Sequence, residues 1–239
     1  MNDTAKNRKR RPLRGQLLID AFSIACEHLG ATDVQCHPMP GGRDILVQAA
    51  WPAPSVRNAD VTCSVDLLCP ASGGTTMAFG PSFTLQPAGL LYHRAIRSGA
   101  IYGDELAELI NGSVRTLHGL AGNICDLTDA RITEANAKKF LKSLFKEAFG
   151  LEMKQVVTTR QRNELTRLNE CFEQGLRNEG VNHWAMFAGM LRFTHQVTYC
   201  RGPRRAYLMA GKGHRLNNIA FDLLARQAAG IAARQHARL

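Results

Sequence analysis

Residues 200–218, CRGPRRAYLMAGKGHRLNN, gather Arg201, Arg204, Arg205, Lys212, His214 and Arg215 around Tyr207, with glycines at 202, 211 and 213. Two chemistries suit such a mixture. A glycine-rich loop can cradle the phosphates of a nucleotide, or a row of cations can neutralise a nucleic-acid backbone while an aromatic ring stacks on its bases. The nucleotide loop requires G-x-x-x-x-G-K-[ST], because the hydroxyl at its end binds magnesium. Here Ala206 stands where the first glycine belongs and Gly213 where the hydroxyl residue belongs. The Walker reading fails, which leaves phosphate contact by a nucleic acid or a solvated basic turn between two helices. Arg94 and Arg97, with Tyr92 beside them, form a second candidate wall for the same backbone.

Other chemistries find little support. His93, His118, His183, His195 and His214 are dispersed and show no H-E-x-x-H or related metal spacing. His195 shares a helical face with Trp184, Phe187, Ala188 and Leu191, which suits a hydrogen-bonded core histidine. Asp104, Glu105 and Glu108 are explained by the electrostatics of a helix start. Ser82, Ser98, Ser113 and Ser143 sit in no nucleophile elbow. The seven cysteines contain no C-x-x-C pair and read as thiols in a reducing compartment. The expectation is a protein that is no enzyme and holds neither metal nor cofactor.

The charge is segregated. Residues 1–14 carry six cations against Asp3 (+5), and residues 190–239 carry nine against Asp222 (+8). The stretch 15–189 holds 15 cations and 18 anions (−3). Positive charge concentrated at the two ends attracts polyanions. The best apolar run, Trp184–Leu191, is far short of the ~20 residues a membrane span needs, and the basic start lacks the uninterrupted apolar region of a signal peptide.

The elements that must position these residues follow from periodicity. Residues 1–12 read as a disordered basic arm and 13–239 as a single α+β domain. Leu17, Leu18, Phe22 and Leu29 recur at helical spacing up to Gly30, and CHPMPGG reads as a turn. Between about 43 and 86 the period becomes two: Val61, Cys63, Val65, Leu67 and Cys69 alternate with Thr62, Ser64 and Asp66. DILVQAAW, ADVTCSVDLLC and TTMAFGPSFTL form an antiparallel three-stranded β-meander. After Pro87 the chain reads as helical, with its helical part over about 103–236. In TEANAKKFLKSLFKEAFG, Thr133 is the N-cap. Phe140, Leu141, Leu144 and Phe145 face inward there, and Lys138, Lys139, Lys142 and Lys146 lie on a solvated face.

Two segments carry a resemblance. HWAMFAGMLRFTHQV (183–197), followed by YLMAGKGHRLNNIAFDLL (207–224), resembles the C-terminal signature of an uncharacterised phage- and plasmid-borne protein family of bacterial mobile elements. Trp184, Phe193 and His195 occupy the signature's Trp, aromatic and His positions, and ITEANAKKFLKSLF fits its middle helix. Ala188, Gly189 and Leu191 depart from its Asn, Ala and Thr, and YHRAIRSG replaces its Cys-x-Asn-Gly element. By element order the family is similar to the single-strand annealing proteins of the RecT and Red-beta class. The resemblance implies a cytoplasmic DNA-binding protein of a mobile element in a bacterial host, binding single strands and promoting annealing as a homo-oligomeric ring or filament. The alternative is a protein–protein interaction or anti-defence accessory factor without specific DNA binding. Six phosphate contacts would weaken binding about a thousandfold as salt rises from low to moderately high.

Overall fold

The computed structural model describes residues 11–52, 60–149, 158–200 and 202–236. Helix α1 (Gly15–His28) precedes strands β1 (Asp33–Pro38), β2 (Asp44–Trp51), β3 (Val61–Pro70), β4 (Thr76–Leu85), β5 (Leu90–His93) and β6 (Arg97–Gly99). Helices α2 (Leu106–Asp129), α3 (Glu134–Phe149), α4 (Thr159–Glu179) and α5 (His183–Arg192) follow. A π-helical turn (Phe193–Val197), α6 (Arg204–Ala210) and α7 (Lys212–His236) complete the order. The class is α+β, and the sheet is antiparallel in the order β1-β2-β3-β4-β5, with β6 also pairing β4.

The sheet is thus wider than the expected meander, by three strands. β1 includes Cys36–Pro38, part of the stretch that reads as a turn. Its edge position leaves most of it exposed, so no strong apolar alternation marks it. β5 and β6 lie where helix is expected, and the reason at β5 is burial. All four of its residues are buried, so a run of four carries no polar alternation.

The alternation in β3 sorts the two faces. Val65 and Leu67 join Phe79 and Phe83 on one side, packed on Leu18, Ile19 and Phe22 of α1 and on the later helices. Phe22 meets Phe79 edge-on at 5.7 Å. Farther along the same core, Tyr92, Phe187 and Phe221 form an aromatic triangle with centroids 4.9–5.1 Å apart. On the opposite face, Leu46, Leu68, Ala78 and Leu91 are covered by Leu208 and Met209 of α6. A short helix therefore supplies the second layer.

The helical half is held by local chemistry that the sequence supports. Thr133 Oγ1 accepts from Asn136 N–H, as expected of an N-cap, and Thr158 with Gln161 forms a capping box. The inward face of α3 is as expected, with Phe140, Leu144 and Phe145 buried. Helices α4 and α5 cross at glycines: a Cβ on Gly189 would lie 2.7 Å from Cys171 O, and one on Gly175 would overlap Ala185 O. This close crossing fixes α4 against the segment that leads into the π turn.

Candidate nucleic-acid interface

The basic stretch 200–218 is no open loop. It forms α6, a break at Gly211 and the first turns of α7. The two glycines after α6 serve contact with Tyr207. A Cβ on Gly213 would overlap the Tyr207 ring, and one on Gly211 would sit 2.9 Å from Tyr207 O. Small residues here let α7 start against the ring, which accounts for AGKG without a phosphate cradle.

Arg204 has a positioning role. Its Nη1 donates to Thr198 O at 2.6 Å and Thr194 O at 3.1 Å, and its guanidinium carbon lies 5.7 Å from the Tyr207 ring centroid. It therefore ties the carbonyls at the end of the π turn to α6. The turn itself closes with Thr198 N–H donating to Phe193 O. Wider than an α turn, it sends Phe193, Val197 and Thr198 toward one side and His195 toward the sheet.

On the first side lies a groove of about 490 Å³. α4 contributes Asn163, Glu164 and Arg167, the end of the π turn Val197 and Tyr199, and the α6–α7 junction Tyr207 and Lys212, so one carboxylate stands among two cations. Tyr199 is 77% exposed. Arg215, one turn beyond Lys212, is exposed as well. Across α6, Arg204 and Arg205 line a smaller recess of about 200 Å³ with Thr84, Leu91 and His195. Arg201 lies outside the described residues.

The second candidate wall is not formed. Tyr92 is buried in the aromatic triangle and offers no face to a base. Its hydroxyl donates to Asn218 Oδ1 at 3.1 Å. Arg94 Nη1 is paired with Asp222 at 2.7 Å and also donates to Asn218. Arg97 Nη2 donates to Ala100 O and Glu105. These cations bind strand to helix. The sequence shows them as basic residues near a tyrosine but does not show that Asp222, 128 positions from Arg94, neutralises one of them.

A polar network on the α6 side of the sheet has no local signature in the sequence. Ser82 Oγ donates to Asp66 Oδ2 at 2.7 Å, and His93 Nδ1 lies 2.9 Å from the same hydroxyl. With the serine proton directed to Asp66, His93 Nδ1–H donates to Ser82 and Nε2 is bare, without a partner among the described residues. A nucleophilic serine gives its proton to the imidazole, with the carboxylate behind the imidazole. Here the serine stands between the two, and all three residues are at most 1% exposed. The network joins β3, β4 and β5. Burial pushes the Asp66 carboxyl up, against hydrogen bonds from Ser64, Ser82 and Gln48 and the charge of Arg205. Burial, with His214 and Arg205 nearby, pushes His93 down to about 3.

The outer rail of β5 is closed by side chains. His195 Nε2 meets both backbone groups of Leu91, at 2.9 Å from its N–H and 3.1 Å from its carbonyl oxygen, Asn218 Nδ2 donates to His93 O at 3.2 Å, and His214 Nε2 accepts from Ala95 N–H at 3.3 Å. Burial lowers the pKa of both His195 and His214, which favours the neutral imidazole in each. The hydrogen bonding expected of His195 is present, but the ring is partly exposed at the sheet edge and is not a core histidine.

Among the described residues no group of three or more His, Cys, Asp or Glu is placed to hold a metal ion, and no helix is long and apolar enough to cross a membrane. The chain matches no family model, no curated protein and no solved structure.

Proposed function

We propose that the protein binds single-stranded nucleic acid without chemistry on it, along the groove between α4, the π turn and the α6–α7 junction. The observation that carries this reading is Tyr199, an aromatic residue 77% exposed at a groove that also presents Arg167 and Lys212 against the single carboxylate of Glu164. An exposed aromatic costs solvation unless it meets another flat apolar face, and an unpaired base offers one. The cations would sit on phosphates while the base stacks, and the positive C-terminal fifth of the chain would raise the encounter rate. Duplex bases are already stacked, so this chemistry favours a single strand.

The finer reading, annealing of complementary strands, rests on the resemblance of element order to the RecT and Red-beta class, and DNA is the polymer that resemblance favours. Fluorescence anisotropy of labelled single- and double-stranded oligonucleotides, titrated at several salt concentrations, tests binding. Annealing requires in addition that the protein speed pairing of complementary strands. Three phosphates, on Arg167, Lys212 and Arg215, make the salt dependence smaller than six contacts would: about twentyfold between about 50 and 200 mM salt.

A further inference from the structure

The two ends of the sheet are treated differently. At β5 the outward backbone groups are met by His195, His214 and Asn218, and β6 has only three residues. At the other end, none of the described residues pairs with the outer rail of β1, and Asp33, Gln35 and Cys36 are exposed. Met39 N–H bonds Asp44 O, and the register with β2 is continuous from Asp33 to Pro38. By antiparallel alternation, Asp33, Gln35 and His37 turn their backbone groups to β2, while Val34 and Cys36 turn theirs outward.

Next to this open rail, α1 exposes two large apolar side chains, Leu17 at 64% and Ile24 at 56%. They share one helical stripe with Asp20, which lies near enough to Cys36 to act on its thiol. A strand edge unpaired among the described residues is a template for another strand, and exposed apolar side chains beside it favour such a contact.

We propose that β1 pairs antiparallel with β1 of a second copy of this chain, about a two-fold axis at Gln35, with the two α1 helices on the same face. Three observations select this occupant and register. Among the described residues the capped β5 edge leaves no complementary strand for a head-to-tail contact, so their sheet extends through two like edges, and the assembly closes at two copies. With Gln35 on the axis, Val34 lies opposite Cys36 of the partner subunit, and the four outward amide–carbonyl bonds of these residues all form. A shift of two positions sets Val34 against the partner subunit's Pro38, which has no N–H to give. The Gln35 register also sets Asp33 opposite His37 of the partner subunit, twice, whereas a one-residue slip puts the α1 helices on opposite faces.

The test uses the full chain without nucleic acid, so its outcome is independent of the binding reading. Sedimentation velocity at about 100 µM is expected to show a dimer, weakened about tenfold or more by Leu17→Glu with Ile24→Glu. Val34→Pro removes one outward N–H and no bond within the subunit, and is expected to give a folded monomer. Gln35→Cys with Cys36→Ser is expected to form a covalent dimer on oxidation, a product absent when Val34→Pro is added. A wild-type monomer, a ring or filament, or a dimer indifferent to Val34→Pro overturns the proposal.

Discussion

His195 Nε2 lies 2.9 Å from the amide nitrogen of Leu91, so one imidazole covers the backbone of β5 on the side where no strand pairs with it among the described residues. The same π turn that aims His195 at β5 sends its other side toward the groove with Tyr199. Sheet-edge closure and groove shape are therefore two products of one local deviation from α geometry.

His195→Ala leaves the Leu91 N–H without its acceptor and is expected to destabilise the fold by about 1–3 kcal/mol. Urea denaturation at neutral pH checks it. His195→Gln, whose carbonyl oxygen can accept the same bond, is expected to recover part of the loss.

Acid should weaken the protein through its histidines. His93, His195 and His214 all have lowered folded values, His93 to about 3. Their contribution is complete above the unfolded histidine pKa of about 6.5 and is lost as pH falls toward the folded values. Asp66, raised by burial, takes up its proton more readily folded than unfolded and offsets part of this. With three histidines against one carboxyl, the urea midpoint is expected to fall from about pH 7 to pH 5. A flat profile contradicts the assignment of these rings as neutral in the folded protein.

Tyr199→Ala is expected to weaken single-strand binding by about 1–3 kcal/mol while leaving Tm unchanged, because the ring is solvated in the free protein. Anisotropy titration and a thermal melt of the same sample separate the two effects.

Arg204 and Arg167 should behave oppositely. Arg204→Ala removes charge-assisted bonds to Thr194 O and Thr198 O and is expected to destabilise the fold by about 2 kcal/mol. Arg167→Glu, on the exposed side of α4, is expected to leave Tm within about a degree and reduce oligonucleotide affinity. Equal losses of Tm in both variants would remove the distinction between a positioning cation and a contacting one.

Gly213→Ala places a methyl in the space of the Tyr207 ring and is expected to cost about 1–3 kcal/mol, with loss of the groove wall. Gly202→Ala meets no such contact, and is expected to be tolerated. Comparison of their melts tests whether Gly213 is required by its packing against Tyr207.

Much of this fold is legible in the sequence where period and environment agree. β3 sets its odd-numbered residues on the helical core, so Val61, Cys63 and Val65 alternate with Thr62 and Ser64, until the opposite face is buried too at Asp66 and Leu68; α3 has one dry face, so Phe140 and Leu144 recur at helical spacing. Legibility fails where strands are exposed at an edge, as at β1, or buried on both faces, as at β5. For the site, the basic character of 200–218 is visible, but local sequence does not say which cations are already engaged. Arg204 is spent on carbonyls six and ten positions back, and Arg94 on an aspartate in the last helix. Arg167 and Tyr199 come to the groove from segments whose meeting depends on the glycine crossing of α4 and α5. No local pattern announces that meeting.

The most direct test of the central claim is the salt titration of wild type and Tyr199→Ala against single- and double-stranded oligonucleotides of one sequence. Single-strand affinity is expected to fall about twentyfold between about 50 and 200 mM salt, with duplex binding at least about tenfold weaker and a clear loss in Tyr199→Ala. Salt-independent binding, equal affinity for the duplex, or a Tyr199→Ala variant that binds like wild type would contradict it.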